Sequence, residues 1–219
     1  MEPAKPDLVP NPAVRRLSLY LRHLEVMQQK ARTTISSKQL GVALGYTDAQ
    51  VRKDLAYFGQ FGHPGIGYRV DDLIARIRRI LATDRTWNVI LIGGGNLGRA
   101  LLSHPGFGPK GFCIVAVFDT DVSKIGTAVH GLVIRPMTSA TLYVRENSVK
   151  LAILAVPAEV AQQIADDLVA AGIRGILNFA PVALSVQSGI AVNSVDLTVQ
   201  LEQLSFLVNS TEHAHKAQE

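Results

Sequence analysis

Residues 89–102 read VILIGGGNLGRALL, a run of branched apolar side chains that breaks into glycines and resumes as a helix former. Trp87 to Ile92 has the unbroken hydrophobicity of a strand buried on both faces. The glycines then fall as G-x-G-x-x-G at Gly93, Gly95 and Gly98. The first permits a tight turn, the second lets the backbone approach a pyrophosphate, and the third allows a helix to pack closely on the strand. A helix N-terminus following such a turn offers N–H groups and a positive dipole end to phosphates. The loop Gly93, Gly94, Gly95, Asn96, Leu97 and Gly98 is therefore a candidate dinucleotide cradle.

Downstream context supports this reading. A second apolar run, Cys113 to Phe118, ends in Asp119, 21 residues past Gly98. A carboxylate at the end of that strand binds both ribose hydroxyls of an adenosine and repels a 2′-phosphate, which favours NAD(H) over NADP(H). The remainder alternates as a doubly wound sheet does: a helix near Ser139 to Asn147, a strand Leu151 to Val156, a helix Ala158 to Ala171 and a strand Gly175 to Phe179. Ligands bind beyond the carboxyl ends of such strands, so Pro157, Asn178, Phe179 and Pro181 are candidates for the nicotinamide end.

Upstream, the composition changes. Residues 1–83 carry 13 Lys and Arg against 7 Asp and Glu, whereas residues 84–219 carry 9 against 11. A net charge of +4 is thus concentrated in the first segment, which points to a polyanionic partner there. Ala13 to Gln29 places Leu17, Tyr20, Leu21, Leu24 and Met27 at helical spacing. Ser36 or Ser37 caps a short helix ending at Gly45. Thr47 and Gln50 have the spacing of a capping box opening a third helix, with Val51, Leu55 and Phe58 on one face and Gln50, Lys53, Asp54 and Tyr57 on the other. Two short helices joined by a glycine turn, the second carrying Arg52, Lys53 and Gln50, fit a helix-turn-helix. Gly59, Gly62, Gly65 and Gly67 then predict a hairpin, the wing of a winged helix, before a capped helix opens at Asp71.

The function classes narrow accordingly. The lone Cys113 reads as a small buried hydrophobe, with no disulfide framework or cysteine metal site. No segment has the form of a signal peptide or a membrane span, so the expectation is a cytoplasmic protein without a membrane partner. A dehydrogenase would need an acid–base group beside the nicotinamide and a substrate domain. Neither is visible, and His104 in LSHPG reads as structural. A small NAD-dependent oxidoreductase with a basic accessory domain is the alternative, and a CoA- or nucleotide-binding interaction module a third. The last helix, VDLTVQLEQLSFLV, is apolar on more than one face and requires cover from a partner subunit.

The chain resembles the Rex redox-sensing transcriptional repressors of bacteria, through RRLSLYLRHL, VRKDLAYFGQFGHPGIGY, LIGGGNLGRAL, KIG, LNFAPV and VDLTVQL. The resemblance runs from about Val14 to Leu207. It implies an α/β protein: a disordered leader at 1–12, a winged-helix (helix-turn-helix) domain at 13–83, a Rossmann-like doubly wound parallel sheet at 84–195, a domain-swapped helix at 196–209 and a polar tail at 210–219. It further implies a homodimer formed by C-terminal helix exchange and double-stranded operator DNA as partner. One non-covalent NAD(H) per chain would act as effector, with no metal and no catalytic residue. The DNA candidates are then Arg16, Ser36, Lys38, Thr47, Gln50, Arg52, Lys53, Tyr57, Gly65, Gly67 and Tyr68. The cofactor set gains Lys124 of KIG, and Arg16, His104 and Asp196 form the expected switch. In that switch Asp196 approaches the partner's nicotinamide and Arg16 is its alternative ion-pair partner. The chain departs from the family at His63 and Pro64, where wing residues are often basic, and at His104, where a tyrosine is frequent. A histidine could still hydrogen-bond Asp196, with a pH dependence that a tyrosine lacks.

Overall fold

The computed structural model describes residues 10–59, 61–62 and 67–216. The chain divides into two compact units between Thr86 and Trp87.

In the first unit, α1 (Asn11–Gln29), β1 (Thr34–Ile35), α2 (Ser37–Leu44), α3 (Asp48–Ala56), β2 (Tyr68–Arg69) and α4 (Val70–Ile80) follow in order. The α1 stripe of Leu17, Tyr20, Leu21 and Leu24 is buried against Val51 and Leu55 of α3 and Leu73, Ile74 and Ile77 of α4. Of the two serines that could cap α2, Ser36 does so. Its Oγ accepts from the Gln39 N–H at 3.1 Å, and its own N–H donates back to Gln39 Oε1 at 2.9 Å, a complete capping box. Gly45 ends the helix at φ 75°, as a left-handed stop requires. At α3 the box is only half made. Thr47 Oγ1 accepts from the Gln50 N–H, but the Gln50 side chain turns inward to Asp54 instead of returning to the cap.

Two further expectations are corrected here. Helix α4 begins at Val70 after an Arg69 with no side-chain cap, not at a capped Asp71; Asp71 and Asp72 sit in its first turn, where the helix dipole favours them. Strand β2 pairs antiparallel with β1, a strand ahead of α2 that local periodicity did not reveal. The expected glycine hairpin, with His63, Pro64 and Gly65, lies largely outside the described residues.

The second unit is a seven-stranded sheet in the order β5-β6-β4-β3-β7-β8-β9. Its strands are β3 (Trp87–Ile92), β4 (Phe112–Asp119), β5 (Ala128–Val129), β6 (Leu132–Pro136), β7 (Leu151–Leu154), β8 (Gly175–Asn178) and β9 (Ala191–Ser194). The pairs from β6 through β9 are all parallel, and β5 alone runs antiparallel at the edge. Numbered from β3 and leaving out β5, the parallel strands stand in the order 3-2-1-4-5-6 of a doubly wound fold. Alternation along β3 serves both faces. Ile90 and Ile92 pack with Phe118, Val144 and Leu168 under α6 (Ala140–Glu146) and α7 (Ala158–Ala171). Val89 and Leu91 pack with Leu101 and Phe107 on the side of α5 (Asn96–Leu102).

Cys113 is exposed, not buried, because the amino-terminal half of β4 is only partly covered and its core lies at Ala116–Phe118. The last helix, α8, runs from Leu197 to Lys216, so most of the expected polar tail is helical. Every described position from 197 to 210 is exposed, including Leu201 at 66% and Phe206 at 69%. No described helix is long and apolar enough to cross a membrane.

Candidate functional site

The carboxyl ends of the parallel strands are stitched in a series. Gly93 N–H donates to Phe118 O, Ala155 N–H to Ile92 O, Phe179 N–H to Leu154 O and Val195 N–H to Asn178 O, each at 2.8 Å. This brings the glycine loop, Asp119, the 155–157 segment, the 178–182 segment and Asp196 to one end of the sheet. Gly93 has φ +100°, and a Cβ there would lie 2.2 Å from Ala155 O. A Cβ on Gly98 would lie 1.9 Å from Gly93 O. These two glycines are therefore required by the fold itself. Gly95 differs: nothing stands within 4 Å of where its Cβ would be. It caps α5, and the first helical N–H with a backbone acceptor is Arg99's, to Gly95 O, so the amides of Asn96, Leu97 and Gly98 at the helix start carry no backbone acceptor among the described residues. Such a backbone-lined cradle fits a pyrophosphate.

Asp119, 8% exposed, completes this corner. Its Oδ2 accepts from Gly94 N–H at 2.8 Å and from Lys124 Nζ at 3.4 Å, and its Oδ1 accepts from Asp121 N–H at 2.8 Å. Burial pushes its carboxyl up, but the two backbone N–H groups and the Lys124 ammonium outweigh burial and hold it below the usual carboxylate range. Lys124 is shared with Asp121 at 3.2 Å. Arg99, which the sequence reading passed over, donates from Nε to Gly94 O and braces the loop from its far side. Leu97 is exposed at the loop tip, with Asn96 beside it.

At the other end of the crevice the candidates separate. Asn178 is fully buried, and its amide is spent on its own loop: Nδ2 donates to Val182 O at 2.8 Å and Ala180 O at 3.2 Å, and Oδ1 accepts from Ala180 N–H. It shapes the segment that presents half-buried Phe179 and exposed Pro181 and has little left for a ligand. Pro157 is the exposed N-cap of α7. Asp196 caps α8, its Oδ1 accepting from the N–H groups of Thr198 and Val199. His104 lies past the C-terminal end of α5, away from the loop, where Nδ1 accepts from Gly106 N–H at 3.0 Å and the ring packs on Phe107. Among the described residues no three His, Cys, Asp or Glu side chains are grouped as a metal site needs.

In the first unit, Arg52 and Lys53 are exposed on α3, while Lys38 and Thr47 are exposed on α2 and at the α3 cap. Arg52 is steadied by Asp48 at 2.7 Å and Ser37 at 3.3 Å. Gly67 has φ +82°, and a Cβ there would lie 2.6 Å from Ile35 O, so close β1–β2 pairing requires the glycine. Tyr68 is buried in the core rather than displayed, which removes its ring as a surface contact. Tyr57 is half-buried at the end of α3.

Asp54 is likewise not on the solvent face where it was expected. It is fully buried and accepts from Arg16 Nε at 2.5 Å, Arg16 Nη2, Tyr20 OH and Gln50 Nε2, the last three at 2.7 Å. Burial pushes this carboxyl up, but donation from Arg16, Tyr20 and Gln50 wins and the net shift is downward. The same pairing raises Arg16, and burial raises the Tyr20 hydroxyl. Arg16 also lies over the Tyr46 ring, and Tyr20 meets that ring edge-on. Arg16 is thus committed within its own unit, pinning α1 to α3.

Comparison with known proteins places this geometry. Residues 84–182 match the family described as CoA binding domain, and residues 8–56 the family described as "Putative DNA-binding protein N-terminus". The redox-sensing transcriptional repressor Rex of Carboxydothermus hydrogenoformans is 48% identical over 198 residues, covering 90% of this chain and 95% of that protein. The Rex of a Roseiflexus species is 41% identical over 208 residues, covering 93% and 94%. A crystal structure of the protein RSP in complex with β-NAD+ and operator DNA superposes with a TM-score of 0.90 at 34% identity, covering 96% of this chain and 97% of that one. RSP in complex with β-NADH gives 0.87 at 33%, covering 95% and 98%.

Proposed function

Because the chain belongs to the Rex family of redox-sensing transcriptional repressors, we propose that it reads the NADH/NAD+ balance in one unit and reports it through DNA in the other. It binds a palindromic operator when NADH is scarce and leaves it when NADH binds. The observation that carries this reading is the coexistence, in one chain, of the open Gly95 cradle beside ionised Asp119 and a helix-turn-helix exposing Arg52 and Lys53.

The roles follow from chemistry. The loop amides at 95–98 hold the pyrophosphate, with those of Gly93 and Gly94 fixed on Phe118 and Asp119, and the Asp119 carboxylate takes the adenosine ribose. That carboxylate also disfavours the phosphorylated ribose of NADP(H) or CoA, which argues for NAD(H) within a fold shared with CoA-binding domains. Lys124 keeps Asp119 ionised and in place, while Phe179, Pro181 and Pro157 border the nicotinamide end. Arg52, Lys53, Lys38 and Thr47 serve DNA. The protein is a regulator working in the cytoplasm, and its dinucleotide is an effector, not a hydride source for a second substrate.

A helix exposed along its apolar positions is uneconomic in a monomer. Leu201, Leu204 and Phe206 support a homodimer in which α8 packs on the partner. Asp196, at the first turn of that helix, would then sit beside the partner's nicotinamide. Reduction removes the positive charge of the nicotinamide ring, so a carboxylate there senses redox state directly. A preference of about 100-fold at each of two sites supplies roughly 5.5 kcal/mol, enough to invert a 99:1 equilibrium between DNA-competent and released arrangements.

The test is selection of operators from random DNA with NAD+ and with NADH. A palindrome enriched with NAD+ and lost with NADH is expected; the absence of any palindrome refutes the repressor, and equal enrichment refutes the sensor. Asp196→Ala, which removes the carboxylate that favours the positive ring of NAD+ over NADH, should release DNA at a lower NADH/NAD+ ratio than the parent.

A further inference from the structure

We infer that Gln50 reads an adenine in each half-site, with buried Asp54 as the positioning residue that makes the reading specific; this rests on the DNA-binding role proposed above. A glutamine on a surface helix can present its amide in either order, nitrogen or oxygen first, and so discriminates poorly between bases. Here the order is fixed. Asp54 is ionised and can only accept, and Gln50 donates Nε2 to Asp54 Oδ1 at 2.7 Å. The carboxylate cannot turn away to release it, because Arg16 and Tyr20 hold both of its oxygens from α1. Its negative charge is compensated by Arg16, so it does not oppose the approach of phosphates.

One Nε2 hydrogen is thereby spent. What remains is the second N–H and the carbonyl oxygen, one donor and one acceptor in fixed relation. Adenine offers the complement on its major-groove edge, an N7 acceptor beside an N6 donor. Guanine presents two acceptors there, cytosine a lone donor and thymine an acceptor beside a methyl group, so none satisfies both atoms. Gln50 stands in the first turn of α3, backbone N–H capped by Thr47 and side chain partly exposed, and the first turn of a recognition helix is the part that meets base edges. Arg52, tied to Asp48 and Ser37 further along, is left to phosphates or guanine.

The experiment uses the full chain with NAD+ and its selected operator, replacing adenines one at a time by 7-deazaadenine, which lacks the N7 acceptor. At one symmetry-related position per half-site the parent protein should lose roughly tenfold in affinity. Gln50→Ala should bind the natural and modified operators equally there, and Gln50→Glu, left with acceptors alone, should shift its choice at that position toward cytosine. Asp54→Ala should shrink the same ratio; a loss of folded protein lowers both affinities alike and leaves the ratio unchanged. Discrimination that persists in Gln50→Ala, or a parent protein indifferent to 7-deazaadenine everywhere, overturns the inference while leaving DNA binding intact. Failure of the parent to select any operator overturns the DNA-binding role itself.

Discussion

At the scale of single residues, the glycine loop separates two demands that its motif conflates. Gly98→Ala drives a methyl group into the Gly93 carbonyl, so it should cost about 2–3 kcal/mol in a denaturant titration as well as NADH binding. Gly95→Ala meets only open space; its melting should stay within about 1 kcal/mol of the parent, while NADH affinity falls at least tenfold, by roughly 1.4 kcal/mol, in a fluorescence titration. If Gly95→Ala binds NADH normally, the pyrophosphate does not lie in that cradle. Gly93 and Gly98 were legible as positions because each answers to a backbone constraint set within the motif, and Asp119 because it ends a buried apolar strand. Asn178 was legible as a position but not as a role: the partners that absorb its amide, Ala180 and Val182, come from a loop whose path no periodicity encodes. Tyr68 was misplaced for the same reason, its burial depending on pairing with β1 across a long stretch of chain.

At the scale of elements, α3 is held by charge as well as by its apolar stripe. Asp54 is depressed in the folded state, so its contribution to stability is present above the unfolded carboxylate value and is lost as pH falls through the folded one. Urea titrations from pH 7 downward should therefore show a steeper acid loss in the parent than in Asp54→Asn, followed by circular dichroism and by the fluorescence of Tyr20 and Tyr46 in the first unit. At pH 7, Asp54→Ala should cost about 3 kcal/mol, since it strands Arg16 and Tyr20. Equal acid profiles would mean that the pair is not formed in solution. The signal for Asp54 was in the sequence: residues 51, 54, 55 and 58 occupy the i, i+3, i+4, i+7 positions of an inward face. Its polarity led it to be set on the opposite face. Strands β5 and β9 stand at the sheet edges with no buried residue, and β6 buries only Ile134, so they carry little hydrophobic pattern to read.

At the scale of the whole molecule, the exposed face of α8 is the feature that a lone chain leaves unresolved. Leu204→Glu with Phe206→Glu should yield a monomer by sedimentation and weaken operator binding by about 100-fold or more, because each half-site is then bound without the other. A dimer that survives the double substitution would place its interface elsewhere. The doubly wound order and the basic first unit were readable because each sums many residues; the length of α8 was not, because polar residues past 209 propagate a helix that apolar spacing cannot mark. The exposed thiol of Cys113 offers a different kind of access to the assembly. It is the one cysteine in the chain, and it lies near the opposite end of β4 from Asp119, about 20 Å away at strand rise. A spin label or fluorophore would attach once per protomer without touching the cradle. The separation of two such labels across a dimer then becomes a ruler for how far NADH moves one subunit against the other.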